Sequence, residues 1–400
     1  MRDSPLTWQT TPVRLAPDAK MLPLLRMGVA AAPDRPDLKI QLAVALHGTG
    51  RLDELVDWLR PAAGDEDEAP ELLMCLSDAA LALRDYQLAL TAARSAAAQG
   101  FKPAVALLAE TLSRLGHPDE ALKAGLEALE RSPADARAFA VVAGLLLDRN
   151  ETEQLWVLCT DLRAQGVWGG HIPSAMALAA RTAEQDDEIT QLVDPARWFC
   201  ATRLAMPADF NERLAAELLA HKFMCRLPST SAARGASSWI LQLELVGGPL
   251  AQELLTMLRE AAGTYLAERQ SLGDHPMVAL RPSSVVLSSL ALAVHDDGRT
   301  MWHRHDGWLT GIYYVAVPTV EPCHDERAGA IEFGLLPFGR EAETLRSPRW
   351  QVTPEPGLLL LFPSYLAHRT WPTGVGDPRI CVPFDVKPAK TISDERARIE

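Results

Sequence analysis

Trp302-His303-Arg304-His305-Asp306-Gly307-Trp308-Leu309-Thr310-Gly311-Ile312-Tyr313-Tyr314-Val315-Ala316-Val317-Pro318 is the stretch on which the fold turns. Two histidines, one residue apart, run into a segment rich in β-branched and aromatic residues, which is the composition of a strand. A strand repeats every two residues, so His303 and His305 are expected on one face, two imidazoles side by side as a metal site requires. Tyr313 and Tyr314 are adjacent, so only one of them can point into an interior.

Further along, Gly357-Leu358-Leu359-Leu360-Leu361-Phe362-Pro363-Ser364-Tyr365-Leu366-Ala367-His368 reads as a buried strand, a turn and a third histidine. Arg379-Ile380-Cys381-Val382-Pro383-Phe384-Asp385-Val386 reads as another strand, opening on an arginine 379 − 368 = 11 residues past His368. The order suits a non-haem iron site, in which three protein ligands on one side leave positions open for substrate acid and oxygen. A 2-oxoglutarate cosubstrate would also need a cation for its far carboxylate. Arginine forms a planar two-point pair with that group, which makes Arg379 the candidate.

These segments resemble the 2-oxoglutarate- and Fe(II)-dependent oxygenase superfamily, on its prolyl-hydroxylase-like side. More narrowly, they resemble a bacterial group in which such a domain is fused to tetratricopeptide repeats. The resemblance rests on His303-Arg304-His305, the run from Gly307 to Val315, Ile331-Glu332-Phe333-Gly334, Leu361 to Tyr365 with His368-Arg369-Thr370, and Arg379-Ile380 through Phe384-Asp385. It implies a double-stranded β-helix (jelly-roll) with flanking helices. It also implies Fe(II) and 2-oxoglutarate as cofactors, with ascorbate as an in vitro adjunct. The implied chemistry is hydroxylation coupled to loss of carbon dioxide and formation of succinate. Residue by residue, it implies His303, His305 and His368 as metal ligands. Arg379 and Tyr314 would hold the far carboxylate. By position, Thr310 is expected to add a hydroxyl there, and Trp308, which flanks the site with Trp302 and Trp371, either packs in the core as they do or lines the substrate pocket.

The chain departs from the superfamily in two ways. The usual pattern is His-x-Asp/Glu, and here His305 takes the carboxylate's place, with Asp306 one residue along as the reserve ligand. The segment between His305 and Gly307 is one residue shorter than in the related group, and a bulge there would re-aim side chains. The missing carboxylate keeps a second reading open: a repeat scaffold or adaptor whose barrel is inactive. His275, His295 and His324 fall in polar turns and are read as structural.

The first half has a different texture, rich in Ala and Leu. Thr49-Gly50-Arg51-Leu52, Leu83-Arg84-Asp85-Tyr86, Leu115-Gly116-His117-Pro118 and Asp148-Arg149-Asn150-Glu151 each lead into a helical stretch. Their second residues are spaced 84 − 50 = 34, 116 − 84 = 32 and 149 − 116 = 33. A period near 34 with two helices per unit resembles tetratricopeptide repeats, an all-α solenoid. Ala121 and Ala128, Ala89 and Ala96, then Leu55 and Ala62, are expected where paired helices approach closely. Such stacks present a groove suited to a protein or peptide partner. The domains expected are a segment 1–35, repeats 36–190, an oxygenase-like domain 195–390 with a helical lead-in 195–281, and a tail 391–400. Within the lead-in, Pro207–Cys225 and Leu250–Arg269 read as amphipathic helices, the first burying Leu214, Leu218, Leu219 and Phe223.

At 400 residues the chain has room for two or three domains. Its 48% apolar and 23% charged residues exclude disorder throughout and a fibrous chain. With 39 Lys+Arg against 52 Asp+Glu the net charge is −13, which argues against nucleic acid and against anionic lipid surfaces. Six cysteines without a CxxC pair suit a reducing compartment. The N-terminus has no apolar core of signal-peptide length, and no apolar run is long enough to span a bilayer. A soluble cytoplasmic protein is the expectation.

Overall fold

The structure, a computed structural model, describes residues 6–10, 21–65, 67–167, 171–182, 192–226, 233–234, 237–269, 278, 281–282, 284–305, 307–319, 327–334 and 349–389. The chain divides into two compact units, Arg14–Glu151 and Met1–Val13 with Thr152–Glu400.

The first of these is a run of helices: α1 (Leu22–Ala31), α2 (Pro36–Gly48), α3 (Leu52–Leu59), α4 (Pro70–Ala82), α5 (Tyr86–Ala98), α6 (Lys102–Arg114), α7 (Pro118–Arg131) and α8 (Ala136–Asp148). Helices α2, α4, α6 and α8 open at 36, 70, 102 and 136, spacings of 34, 32 and 34, so the repeat expected from the turns is present in the helices. Pro36, Pro70 and Pro118 stand at first helical positions, where no N–H is needed. Asp85 and Asp135 cap α5 and α8 by accepting backbone N–H bonds from the first turn.

The turn inside each pair is left-handed at one residue. Gly50, Arg84, Gly116 and Asn150 have φ of 73°, 65°, 79° and 59°. In each, the next N–H reaches five residues back: Arg51 to Leu46 at 2.9 Å, Asp85 to Ala80 at 2.8 Å, His117 to Leu112 at 3.0 Å and Glu151 to Leu146 at 2.8 Å. This bond closes an otherwise orphaned carbonyl at the helix end. The fourth special position is Asn150, not Arg149, which keeps φ −87°.

Ala89, Ala96, Ala121 and Ala128 are buried as expected. The first pair differs. Leu55 is buried, but α3 stops at Leu59, a 3₁₀ turn spans Arg60–Ala62, and the buried alanine is Ala63 instead of Ala62. Pro61 lacks an N–H and its ring clashes with the preceding turn, which ends the helix there.

The other unit holds α9 (Thr152–Ala164), α10 (His171–Thr182) and the β structure. Its strands are β1 (Thr7–Gln9), β2 (Cys200–Arg203), β3 (Cys225–Arg226), β4 (Ala233–Arg234), β5 (Ser237–Leu241), β6 (Ser284–Val294) and β7 (Arg299–Thr300). They continue with β8 (Leu309–Ala316), β9 (Ile331–Gly334), β10 (Trp350–Val352), β11 (Leu358–Pro363), β12 (Ala367–Thr370) and β13 (Arg379–Pro388). The large sheet runs β2-β11-β8-β13-β6-β5-β3, with β1 parallel on β6. A small sheet runs β10-β9-β12. After β11 the chain leaves the large sheet and enters the small one at β12, so the two sheets form a roll with long crossings, as in a jelly-roll.

One face of the large sheet packs on the helices Phe210–Leu219 and Pro249–Glu268. Val285, Leu287, Leu309, Tyr313, Val382 and Phe384 meet Leu214, Leu218, Leu254 and Leu258 there. Strand alternation turns Thr310, Tyr314, Phe362, Arg379 and Asp385 to the other face. Phe362 on β11 meets Phe333 on β9 with ring centroids 4.9 Å apart, which joins the two sheets across the roll. The lead-in helix is shorter than the apolar pattern suggests. It ends at Leu219, itself 46% exposed, and Phe223 is 50% exposed because helical spacing has no meaning past the helix end. Among the described residues no helix is long and apolar enough to cross a membrane.

Candidate metal centre

Strand β8 starts only at Leu309, so His303 and His305 precede it instead of standing on a regular strand. Backbone pairing places them. His303 N–H donates to the His368 carbonyl at 3.0 Å and His368 N–H returns to His303 at 2.9 Å. His305 N–H donates to the Ser364 carbonyl at 3.0 Å. A doubly bonded antiparallel pair holds its Cα atoms about 5.5 Å apart, so the two histidines are brought together by main chain.

The three rings converge. Centroids lie 4.3 Å apart for His303–His368, 5.1 Å for His303–His305 and 5.2 Å for His305–His368. One nitrogen from each lies within 4.8 Å of the others. Each Nδ1 faces an acceptor: the Met301 carbonyl at 2.7 Å for His303, the Leu366 carbonyl at 3.1 Å for His368, and the Asp385 carboxylate at 2.9 Å for His305. An Nδ1 facing an acceptor carries the proton, which leaves the Nε2 lone pair of all three rings for a metal. Burial lowers His303 to about 4, reinforced by the charge of His305. Burial, then the charges of His303 and His305, put His368 well below the ordinary value. Neutral imidazole is the ligating form. Asp306 lies outside the described residues, as do His275 and His324. His295 lies in its turn, its Nδ1 3.2 Å from the Gly376 carbonyl.

Arg379 is 1% exposed. Its Nη1 donates to the carbonyls of Gly329 and Trp371 at 2.8 and 3.3 Å, and its Nη2 donates to Thr370 Oγ1 at 3.1 Å. Its Nε is buried with no partner. These partners are neutral, and among the described residues no carboxylate pairs with it. A buried cation without an anion is costly, so a carboxylate brought to this guanidinium would be favoured. Thr370 and His368 sit two residues apart on one face of β12, a rise of about 6.6 Å. The guanidinium is thereby tied to the same face of β12 as His368. Tyr314 is buried and faces the interior, where burial pushes its phenol up against the pull of Arg379. Tyr313 points the other way, its hydroxyl donating to Asn211 Oδ1 at 2.7 Å.

Thr310 falls elsewhere than its position suggested, and Trp308 takes the core of its two expected places. Thr310 is not at the Arg379 end: its hydroxyl donates to Asp385 Oδ1 at 2.8 Å, because it is the cross-strand partner of Asp385. Trp308 is 2% exposed and packs in the core between sheet and helices. Trp302 and Trp371 stack with Arg369 (5.0 and 4.3 Å to the ring centroids). That is the opposite face of β12 from His368, where Arg369 also meets Glu332 at 2.8 Å.

The residue that sequence reasoning missed is Asp385. It appears there as part of a strand motif with no role. The available signal was its parity with Arg379 and Lys387: three charged residues on the same face of a strand whose opposite face is apolar. In the folded chain burial pushes its carboxyl up, but the charge and hydrogen bond of His305, with Lys387 and Thr310, outweigh burial and hold it below the ordinary value.

Residues 291–385 match a family model described as "Putative 2OG-Fe(II) oxygenase". No curated protein matches the chain. Among solved structures the chain is similar to SnoN, a non-heme alpha ketoglutarate dependent epimerase from nogalamycin biosynthesis. Identity there is 19%, over 49% of this chain and 80% of that one, with a TM-score of 0.36. It is also similar to a prolyl-4-hydroxylase of Pseudomonas putida, at 15% identity over 49% of this chain and 96% of that one, TM-score 0.35. YrrB, a TPR protein with an unusual peptide-binding site, is similar at 15% identity over 43% of this chain and 90% of that one, TM-score 0.35. Residues 291–385 are thus a 2OG-Fe(II) oxygenase-family domain, in a chain whose N-terminal part is a stack of tetratricopeptide-like helical repeats.

Proposed function

We propose that the C-terminal unit is a 2-oxoglutarate- and Fe(II)-dependent oxygenase that hydroxylates a C–H bond of its substrate. The observation that carries the reading is three converging imidazoles together with a buried guanidinium, tied to the same face of β12 as His368, that pairs with no carboxylate among the described residues. The residues present fit both groups. Three neutral imidazoles suit a divalent first-row metal, and the orphaned Nε of Arg379 suits a carboxylate.

In this reading His303, His305 and His368 hold the metal from one side. When bound, Fe(II), 2-oxoglutarate and dioxygen supply the oxidation, with succinate and carbon dioxide as coproducts. Arg379 takes the far carboxylate of the cosubstrate and Tyr314 closes the same end. Phe333 and Phe362, with centroids 5.7 and 5.1 Å from the His368 ring, keep water off the inner side of the site. Ligands without charge leave the metal's full charge facing the opening, which favours an anionic cosubstrate over water. The repeats present the substrate, which we read as a protein or peptide.

The second reading is a repeat scaffold with an inactive barrel. One observation favours it: His305 stands where the superfamily pattern has a carboxylate. Anaerobic addition of Fe(II) and 2-oxoglutarate to the full chain separates the two. The oxygenase reading expects a weak visible charge-transfer band, and succinate once oxygen is admitted. Absence of both leaves the scaffold.

A further inference from the structure

We infer that Asp385 is the positioning residue of the metal centre, supplying through His305 the negative charge that a three-imidazole ligand set lacks. This rests on the metal reading of the three histidines.

The carboxylate sits on the ring edge away from the metal nitrogen. Its Oδ1 and Oδ2 lie 2.9 and 3.2 Å from His305 Nδ1. Bonded there, it cannot also ligate a metal held on Nε2. A carboxylate on Nδ1–H does two things: it fixes the plane and tautomer of the ring, and it makes Nε2 a stronger donor. The other two rings rest their Nδ1–H on neutral carbonyls, so His305 alone of the three hydrogen-bonds a charged group.

The carboxylate is itself held. Thr310 Oγ1 donates to Oδ1 at 2.8 Å and is in turn 2.8 Å from Ser364 Oγ. Thr310 and Ser364 are buried, and Asp385's side chain is 13% exposed. Lys387 Nζ approaches Oδ2 at 3.5 Å. Gly307 leaves room for this chain of groups: a Cβ there would lie 2.7 Å from Ser364 Oγ and 3.1 Å from the Asp385 Cβ. A carboxylate fixed by a buried hydroxyl pair, against one ring of a converging triad, is more than an ion pair needs. The charge that the superfamily places on the metal is here moved one hydrogen bond outward.

The test is Co(II) titration of the full chain, metal-free at the start, read by visible d–d absorption and calorimetry. Asp385→Asn is expected to weaken Co(II) by about 10–100-fold, and Thr310→Val to weaken it less, in the same direction. In a His305→Ala background, Asp385→Asn is expected to change nothing, because its effect runs through that ring. Unchanged affinity in Asp385→Asn, or an equal loss in both backgrounds, overturns the inference and leaves Asp385 structural. If Asp385→Asn does not fold, Thr310→Val decides, and wild-type affinity in it overturns the inference. No Co(II) binding by the wild-type chain overturns the metal reading itself, and this inference with it.

Discussion

His303 and His368 exchange both backbone hydrogen bonds, at 3.0 and 2.9 Å, although they stand 368 − 303 = 65 positions apart in the sequence. The spacing of their rings is therefore set by a single doubly bonded backbone bridge and does not wait for a metal. A pre-formed pair of this kind separates ligation from folding.

His368→Ala should accordingly remove the metal far more than the fold. The side chain is 2% exposed and lies against Phe333 and Phe362, so its loss leaves a small cavity costing about 1–3 kcal/mol. Metal affinity should fall by more than about 100-fold, since one of three donors is gone. Metal titration beside a urea melt of the metal-free variant checks both.

Arg379→Ala should weaken 2-oxoglutarate and spare the metal. A charge-assisted hydrogen-bond pair of this kind is worth about 1.5–3 kcal/mol, so cosubstrate affinity should drop by about 10–100-fold. Arg379→Lys should recover little, because Lys cannot reproduce the planar fork held by Gly329, Trp371 and Thr370. Cosubstrate and metal titrations run in parallel decide it, and unchanged cosubstrate affinity removes Arg379 from the site.

Acid should destabilise the metal-free protein through the imidazole of His303. His303 is lowered to about 4 when folded and sits near 6.5 when unfolded. Between those values the unfolded chain binds more protons, so stability rises with pH across the window and is lost as pH falls from about 6.5 towards 4. Urea midpoints of wild type and His303→Ala at pH 7.5 and 4.5 check the sign: the variant should lose less on acidification.

The repeat turns make a prediction independent of the site. Arg84 and Asn150 hold left-handed backbone where Gly50 and Gly116 stand in the sister turns. Arg84→Gly and Asn150→Gly should each stabilise by about 0.5–1 kcal/mol, the smaller figure for asparagine, which tolerates that conformation better. Gly125→Ala should do the opposite, since its new Cβ would lie 2.6 Å from Val142 Cγ2 between α7 and α8. About 1–3 kcal/mol should be lost. Thermal melts of the full chain, read at the helical signal, measure all three.

Much of this was legible in the residues. Helical period and turn chemistry are local, so Gly50, Arg84 and Gly116 marked the repeats before any contact was known. The fourth turn was read one residue early, at Arg149, because composition alone does not say which residue of Arg149-Asn150 takes the left-handed conformation. His303, His305 and His368 could be nominated from residue type and order. That His303 and His305 lie outside a regular strand was not visible, since their placement comes from pairing with His368 and Ser364.

By itself, then, the sequence determined the two textures of the chain, the repeat length, the three candidate histidines and the arginine that opens β13, because each depends on residue type or on neighbours a few positions away. Only the tertiary structure decided which carboxylate serves His305, why Thr310 belongs at that end and not with Arg379, and that Trp308 is core. Those outcomes hang on register between strands 385 − 310 = 75 residues apart, where Asp385 meets Thr310. A one-residue slip of β13 would turn Arg379 and Asp385 to the helix side together, and nothing local in either strand forbids it. Burial of Val382, Phe384 and Val386 against the helices supplies the energy that fixes the register.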